Sequence, residues 1–227
     1  MNAPIAAEPW PDLIGSLTHE LRHEASAVLH QVELLRGNVL DDVTRQRSLA
    51  AIEANAENLM GFIDDLTELG RIVRGEVTPV CRSIDIGELI GAAADDRARQ
   101  LDWKAPITAG NAAWSTFTDP HIVDQIVTGV LNQYDRHADA GAVVSAYARR
   151  STDRYIDVVF TSNTSRALGS EPFRSATLGD GLSMFVAHKS AELVGGTFGV
   201  LGSTRRGSYL LRLPHAERSS ADRQWQD

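Results

Sequence analysis

The chain has 227 residues, a formal charge of −8 and 43% apolar residues, which suits one large or two small packed domains and excludes a disordered chain. The acidic balance argues against a nucleic-acid binder, which concentrates basic residues on one face; Arg205–Arg206 is too short a run to reverse it. A single cysteine, Cys81, excludes an intrachain disulfide and a Cys-based zinc site.

No apolar run approaches the roughly 20 residues that span a bilayer. The N-terminus, MNAPIAAEPWPDL, lacks the basic n-region of a secretory signal. A soluble cytoplasmic protein without membrane or nucleic-acid partners is expected. Residues 1–11 are rich in Ala and Pro and predict a flexible N-terminus.

A first helix is predicted from a cap at Asp12 or Ser16 to about Arg36. Leu17, Leu21, Val28, Val32 and Leu35 step by three, four or seven and share one face. His19 lies on the far side of that face, followed by His23 one turn on and His30 two turns further. An imidazole next to a carboxylate, Glu20, on the outside of a rigid helix is a group displayed for chemistry. The plainer reading is a solvated surface His. The four-residue spacing of His19 and His23 can bind a transition metal, but no third ligand lies closer than His30, so no metal site is expected.

Gly37-Asn38 marks a stop and Asp41-Asp42 an acidic start. In the second helix Leu49, Ile52, Ala56, Leu59, Ile63, Leu66 and Val73 repeat in three-four steps, broken only by Gly70. Met60, Phe62, Leu69 and Ile72 widen this stripe beyond what one partner helix covers. Dimerisation into a four-helix bundle would bury it; the alternative is packing of the hairpin on the rest of its own chain. Residues 12–75 are thus read as a helical-hairpin domain.

Gly75 to Ser83 breaks the pattern and predicts a domain boundary. Beyond it, a short strand or turn leads into a helix from about Ile86. One or two strands lie in Ile107 to Phe117, and a helix runs from Asp119 to about His137. Strands are predicted over Ala142–Arg149 and Tyr155–Thr161, an irregular stretch over Ser162–Leu178, and a helix over Leu182–Val194 stopped by Gly195-Gly196. Thr197–Leu201 and Ser208–Leu213 are the last strands. The order predicts an α+β layer over residues 84–214, with helices on one face of a mixed sheet. The polar stretch 215–227 predicts a disordered tail.

THELR, Thr18 to Arg22, resembles the H-box of sensor histidine kinases, in which an exposed helical His takes a phosphoryl group. It departs from the usual Thr or Asn and then Pro by placing His23 and Glu24 next. From Ile84 onward the element order is similar to the catalytic ATP-binding domain of that family, an α/β sandwich shared with gyrase- and Hsp90-type ATPases. Gly179 to Pro214 resembles the family's GLGLS–helix–GG–strand–G–strand–LP ending almost element for element.

The resemblance also identifies departures in the nucleotide pocket. The family begins one helix with Asp, has Gln six residues on, then two Asn four apart, the first holding magnesium. Asp119 and Gln125 match, but the Asn positions fall on Gly129 and Gln133. Glycine has no ligand atom, and magnesium needs well-placed oxygens. Asn132 is expected about 100° round the helix. The family's adenine-reading Asp-x-Gly-x-Gly turn aligns with Ser162, Thr164 and Arg166, with Asn163 as a nearby substitute acceptor. Gly179 and Gly181 would remain as a vestigial phosphate loop, or simply turn the chain into its helix.

The resemblance therefore implies a degenerate ATPase-like domain behind a phosphoacceptor hairpin, closest in character to free-standing dimeric histidine phosphotransferases. His19 would exchange phosphoryl groups with response-regulator receiver domains, with Arg22 contacting phosphate or receiver. His23 would sit where phosphatase-competent members align a water, and the protein could then also drain phosphate from a regulator. No cofactor of its own is expected, and the receiver supplies magnesium. An upstream histidine kinase is a further candidate partner. Two alternatives stand beside this: an ATP-dependent histidine kinase with a divergent pocket, using ATP and magnesium, and a non-catalytic pseudokinase that binds regulators.

Overall fold

Asp41, in extended backbone, accepts a hydrogen bond from the Thr44 amide at 2.7 Å and so starts the long helix α2 (Asp42–Val73). In the computed structural model, residues 10–37, 40–99, 107–109, 114–136, 141–163, 178–201 and 208–215 are described. Helix α1 (Trp10–Gly37) precedes α2 and packs along it. It begins two residues before Asp12, so both expected cap residues are helical positions. Helix α2 ends where Gly75 adopts φ +68°, with Glu76 N bonded to Arg71 O at 2.9 Å, a turn that satisfies the last carbonyls.

Strand β1 (Arg82–Asp85) pairs antiparallel with β3 (Ser115–Thr118). Asp85 then caps α3 (Ile86–Ala98) by accepting from Gly87 N at 2.7 Å. The main sheet has the order β2-β4-β5-β7-β6, with β2 (Ile107–Ala109), β4 (Val144–Arg150), β5 (Tyr155–Ser162), β6 (Thr197–Val200) and β7 (Tyr209–Pro214). Only β2 and β4 run parallel, so the sheet is mixed, as expected.

Strand alternation sorts the two faces. Ala146, Phe160 and Tyr209 align across three strands, as do Ala148, Val158 and Leu211, and all six are buried. Helices α3, α4 (Pro120–Arg136) and α5 (Leu178–Leu193) cover that face. The opposite face carries Arg149, Asp157 and Arg212 in one row. Arg212 holds the buried Asp157 carboxylate through Nε at 2.8 Å and Nη2 at 3.2 Å, with Arg149 at 3.8 Å. Burial alone would raise this carboxyl, but the bonds from Arg212 and Ser151 outweigh it and hold it below the usual carboxylate range.

A second apolar cluster joins the two halves of the chain. Leu17 of α1 and Phe62 and Leu69 of α2 meet Leu182 and Phe185 of α5, all five buried, with Leu21, Leu66 and Val186 at the edge. The flank of the α2 stripe thus packs on the chain's own lobe. The seam itself is only partly covered: Leu49 and Ile63 are 50% exposed and Val73 57%.

Helix α5 begins four residues before the expected Leu182 and takes in Gly179, Asp180 and Gly181. Its end matches the Gly-Gly signal. Gly195 has φ +71°, Gly196 N bonds Ala191 O at 2.9 Å, and a Cβ on Gly196 would collide with the Arg212 carbonyl of β7. Residues 1–9 and 216–227, where flexible ends are expected, lie outside the described residues, as do Thr164 and Arg166. Among the described residues no helix is long and apolar enough to cross a membrane.

Two outcomes follow from these contacts. Gly196→Ala should lower unfolding free energy by about 2 kcal/mol in a denaturant titration, because the backbone of β7 must shift. Asp157 has a folded pKa below its unfolded value of about 3.9, so its stabilisation is present above that pH and fades as pH falls through the lower folded value. Asp157→Asn should therefore cost about 1–2 kcal/mol at pH 7, limited by the partial exposure of Arg212, and the gap to the parent should narrow below about pH 4.

Candidate functional site

Helix α4 owes its position to Asp119. The Asp119 carboxylate accepts from Val80 N at 2.7 Å and His121 N at 2.9 Å, and more weakly from Ile122 N at 3.4 Å. Burial pushes this carboxyl up, but the three N–H donors prevail and hold it below the ordinary range. One Asp thereby caps α4 and fixes the connector that leaves the hairpin.

From this start, Gln125, Gly129 and Gln133 fall one turn apart on one side of α4. They line a cavity of about 270 Å³, together with Ile126, Thr128 and Asn132. Helix α5 closes a second side with Ser183, Val186, Ala187 and Ser190. The third side is α2, through Gly61, Asp64, Asp65 and Glu68. The residues expected from the nucleotide-binding helix are thus gathered in one place, but a wall of the cavity comes from the hairpin, which sequence reasoning missed. Asn132 also lines the cavity, against expectation, because a space bounded by three helices views a wide arc of α4.

The polar chemistry of this cavity is one-sided. Three carboxylates line it, with no Lys, Arg or His among the described lining residues. Glu68 accepts from Arg71 Nη1 at 2.7 Å, and Ser183 Oγ donates to Asp65 Oδ2, tying α5 to α2. Gly129 leaves open space, with nothing within 4 Å of where a Cβ would stand. Gln133 is 2% exposed, and its Oε1 and Nε2 are buried without a hydrogen-bond partner. Among the described residues, no three His, Cys, Asp or Glu side chains converge as a metal site would require.

The remaining expected site residues lie elsewhere. Ser162 ends β5, half-buried and outside the cavity lining. Asn163 is committed to the backbone: its Oδ1 accepts from Val143 N at 2.6 Å, and its Nδ2 donates to Gly141 O at 3.4 Å. That geometry removes it as a substitute base acceptor. Gly179 and Gly181 are helical positions of α5, Gly181 buried; of the two expected readings, a phosphate loop or a turn into the helix, the backbone takes the second. On α1, Arg22 and His23 are exposed. His19 and Glu20 are helical, but their side chains lie outside the described residues.

The architecture is that of a helical hairpin followed by an ATPase-like α+β lobe, and comparison with known proteins gives the same class. The histidine kinase AdeS of Acinetobacter baumannii matches over 87% of this chain and 98% of its own, with a TM-score of 0.57 at 13% identity. Full-length ShkA, solved in complex with AMPPNP, matches over 92% of this chain and 47% of its own, with a TM-score of 0.58 at 20% identity. The fold is therefore the histidine kinase fold. Among curated proteins, hybrid signal transduction histidine kinase C of Dictyostelium discoideum is 24% identical over 139 residues, 58% of this chain; the match spans 11% of that protein. No protein-family model matches the chain.

An unpartnered buried amide destabilises the fold that contains it, by about 1–3 kcal/mol. Gln133→Leu, close in volume and apolar, should therefore raise unfolding free energy by about 1 kcal/mol in urea. A loss of stability would mean that the amide finds partners in solution.

Proposed function

We infer that this chain is a two-component signalling protein of the histidine kinase type that works as a histidine phosphotransferase, with His19 as phosphoacceptor. The observation that carries the choice of transferase over kinase is the lining of the cavity between α2, α4 and α5. A nucleotide with magnesium would need oxygen ligands from α4 and cationic or N–H donors toward phosphate. The lining offers Gly129 where a ligand side chain would stand, a buried Gln133, and three carboxylates. A carboxylate about 4 Å from one phosphate charge costs roughly 1 kcal/mol in water and roughly 4 at an effective dielectric of 20; Asp64 and Asp65 line this wall, beside a Glu68 offset by Arg71 at 2.7 Å. This lining argues against ATP and magnesium as the chain's own phosphoryl source.

The phosphoryl group then comes from outside. A neutral imidazole nitrogen of His19 attacks the aspartyl phosphate of a receiver in line. An N–P bond forms as the P–O bond breaks, and the receiver's carboxylate leaves with the electron pair. The receiver brings its own magnesium. Glu20, the carboxylate next in sequence, is the candidate to take the other ring N–H and so favour the attacking tautomer. The exposure of Arg22 and His23 on the same helix supports a role for them in contacting phosphate or the receiver surface. Helix geometry supports access: Leu17 and Leu21 pack toward α5, and position 19 lies about 160° round the helix from either of them.

The exposed Leu49, Ile63 and Val73 favour a second copy of the hairpin as their cover, giving a homodimeric four-helix bundle. The similarity to histidine kinases of known fold supports response regulators as partners. A labelled receiver phosphate should pass to the intact chain and fail to pass to His19→Ala, while labelled ATP with magnesium should leave the chain unlabelled. Self-labelling from ATP would refute the transferase assignment, and label on the Ala variant would move the acceptor to His23.

A further inference from the structure

We propose that the open face of the main sheet docks an extended acidic segment of a partner protein, one that presents apolar, acidic and apolar side chains at alternate positions. Strand register builds this face in three rows. Tyr147, Val159 and Leu210 stand abreast on β4, β5 and β7. Arg149, Asp157 and Arg212 follow two residues along. Tyr155 and Pro214 begin the third row, and the bridge of Thr116 to His215 sets Phe117 of β3 opposite Pro214. Thr116 is buried and Phe117 is exposed, as strand alternation requires of neighbours on opposite faces. The outer two rows stay partly in water: Tyr147 and Tyr155 are 37% exposed and Phe117 45%. Aromatic rings and Arg are the side chains that most often carry binding energy at protein interfaces.

The middle row supplies the charge. A partner meets it as positive, although the whole chain carries −8. The Asp157 side chain is 3% exposed, sealed beneath two guanidinium groups whose side chains are 54% exposed at Arg149 and 38% at Arg212. One carboxylate is thus shared by two cations and is itself out of reach. Arg212 uses Nε and Nη2 on Asp157 and Ser151, which leaves the N–H groups of Nη1. Arg149 comes no closer to Asp157 than 3.8 Å, beyond hydrogen-bond length, so its own donors are unused. A carboxylate from outside fits both.

Spacing selects the shape of the partner. Successive rows lie two residues apart along each strand, about 7 Å. An extended segment lying along the strands repeats its same-side residues at that interval. Its central carboxylate meets Arg149 and Arg212, and the apolar side chains on either flank meet the two tyrosine rows. Nucleic acid is disfavoured, because a phosphate ladder needs cations repeated along its length, and here one charged row lies between two apolar ones. The face is the side of the sheet away from α3, α4 and α5, and so away from the hairpin docked on α5. The reading does not depend on phosphoryl transfer, and its test uses no phosphorylated partner.

The experiment titrates the full chain into a fluorescent synthetic peptide with Leu, Glu and Leu at alternate positions between Thr residues, read by anisotropy. Saturable binding is expected, and it should weaken as salt is raised. The same peptide with Lys in place of Glu should bind about tenfold more weakly. Arg149→Ala and Phe117→Ser should each weaken binding about fivefold. Arg149→Ala leaves the bonds from Arg212 to Asp157 in place, so its melting temperature should match the parent's, which separates loss of the site from loss of the fold. The proposal is overturned if the Glu peptide does not saturate, if the Lys peptide binds as well, or if both variants bind as the parent does. Tighter binding of single-stranded DNA that Arg149→Ala abolishes would also overturn it, by giving the face to nucleic acid.

Discussion

The junction of Phe62 and Leu69 with Leu182 and Phe185 is the contact on which the remaining arrangement depends. Burying a Phe or Leu side chain is worth about 1.5–3 kcal/mol, so these residues with Leu17 are enough to hold a two-helix hairpin against a lobe joined to it by a short connector. Without that contact, α2 would not form the third side of the cavity, and Asp64, Asp65 and Glu68 would be ordinary solvated charges. With it, three carboxylates face a helix, α4, that resembles one used elsewhere for binding nucleotide.

The same contact divides the α2 stripe. A helix can present one apolar arc to only one neighbour unless the arc is wide, and here it is wide. Phe62 and Leu69, seven residues apart, turn to α5; Ile52 and Leu59 are half-buried; Leu49, Ile63 and Val73 stay largely in water. The sequence showed the width of the stripe but not how it would be shared. Periodicity fixes which residues lie together on a helix, whereas the identity of the covering surface depends on residues more than a hundred positions away.

Other features were legible for local reasons. Asp41 and Asp85 act as caps, Gly75 and Gly195 end helices at positive φ, and the strand alternation of β4 and β7 sorts inside from outside. Each depends on residues within one turn or one strand. What failed was of another kind. Gly179-Asp180-Gly181 could be read as a phosphate loop or as the turn into the helix, because two glycines lower helix propensity by about 1 kcal/mol each; it forms the first turn of α5. Asn163 offered an amide of the right chemistry, but that amide bridges Gly141 and Val143, which no spacing in the sequence reveals. The absence of a magnesium-type side chain at Gly129 could be read directly, since it follows from residue identity; the acidic wall opposite could not, since it follows from docking.

Placement of the cavity relative to α1 bears on how phosphate could move. Leu17 and Leu21 face the cluster with α5, and a residue midway between them lies on the other side of the helix. Any movement of the lobe along the hairpin means leaving the junction at the cost of its buried apolar contact. The docked arrangement therefore keeps α5 and the cavity beside α4 against the hairpin for as long as that contact holds. The α2 wall of the cavity and the face that α1 turns to α5 are two consequences of one hairpin-to-lobe contact.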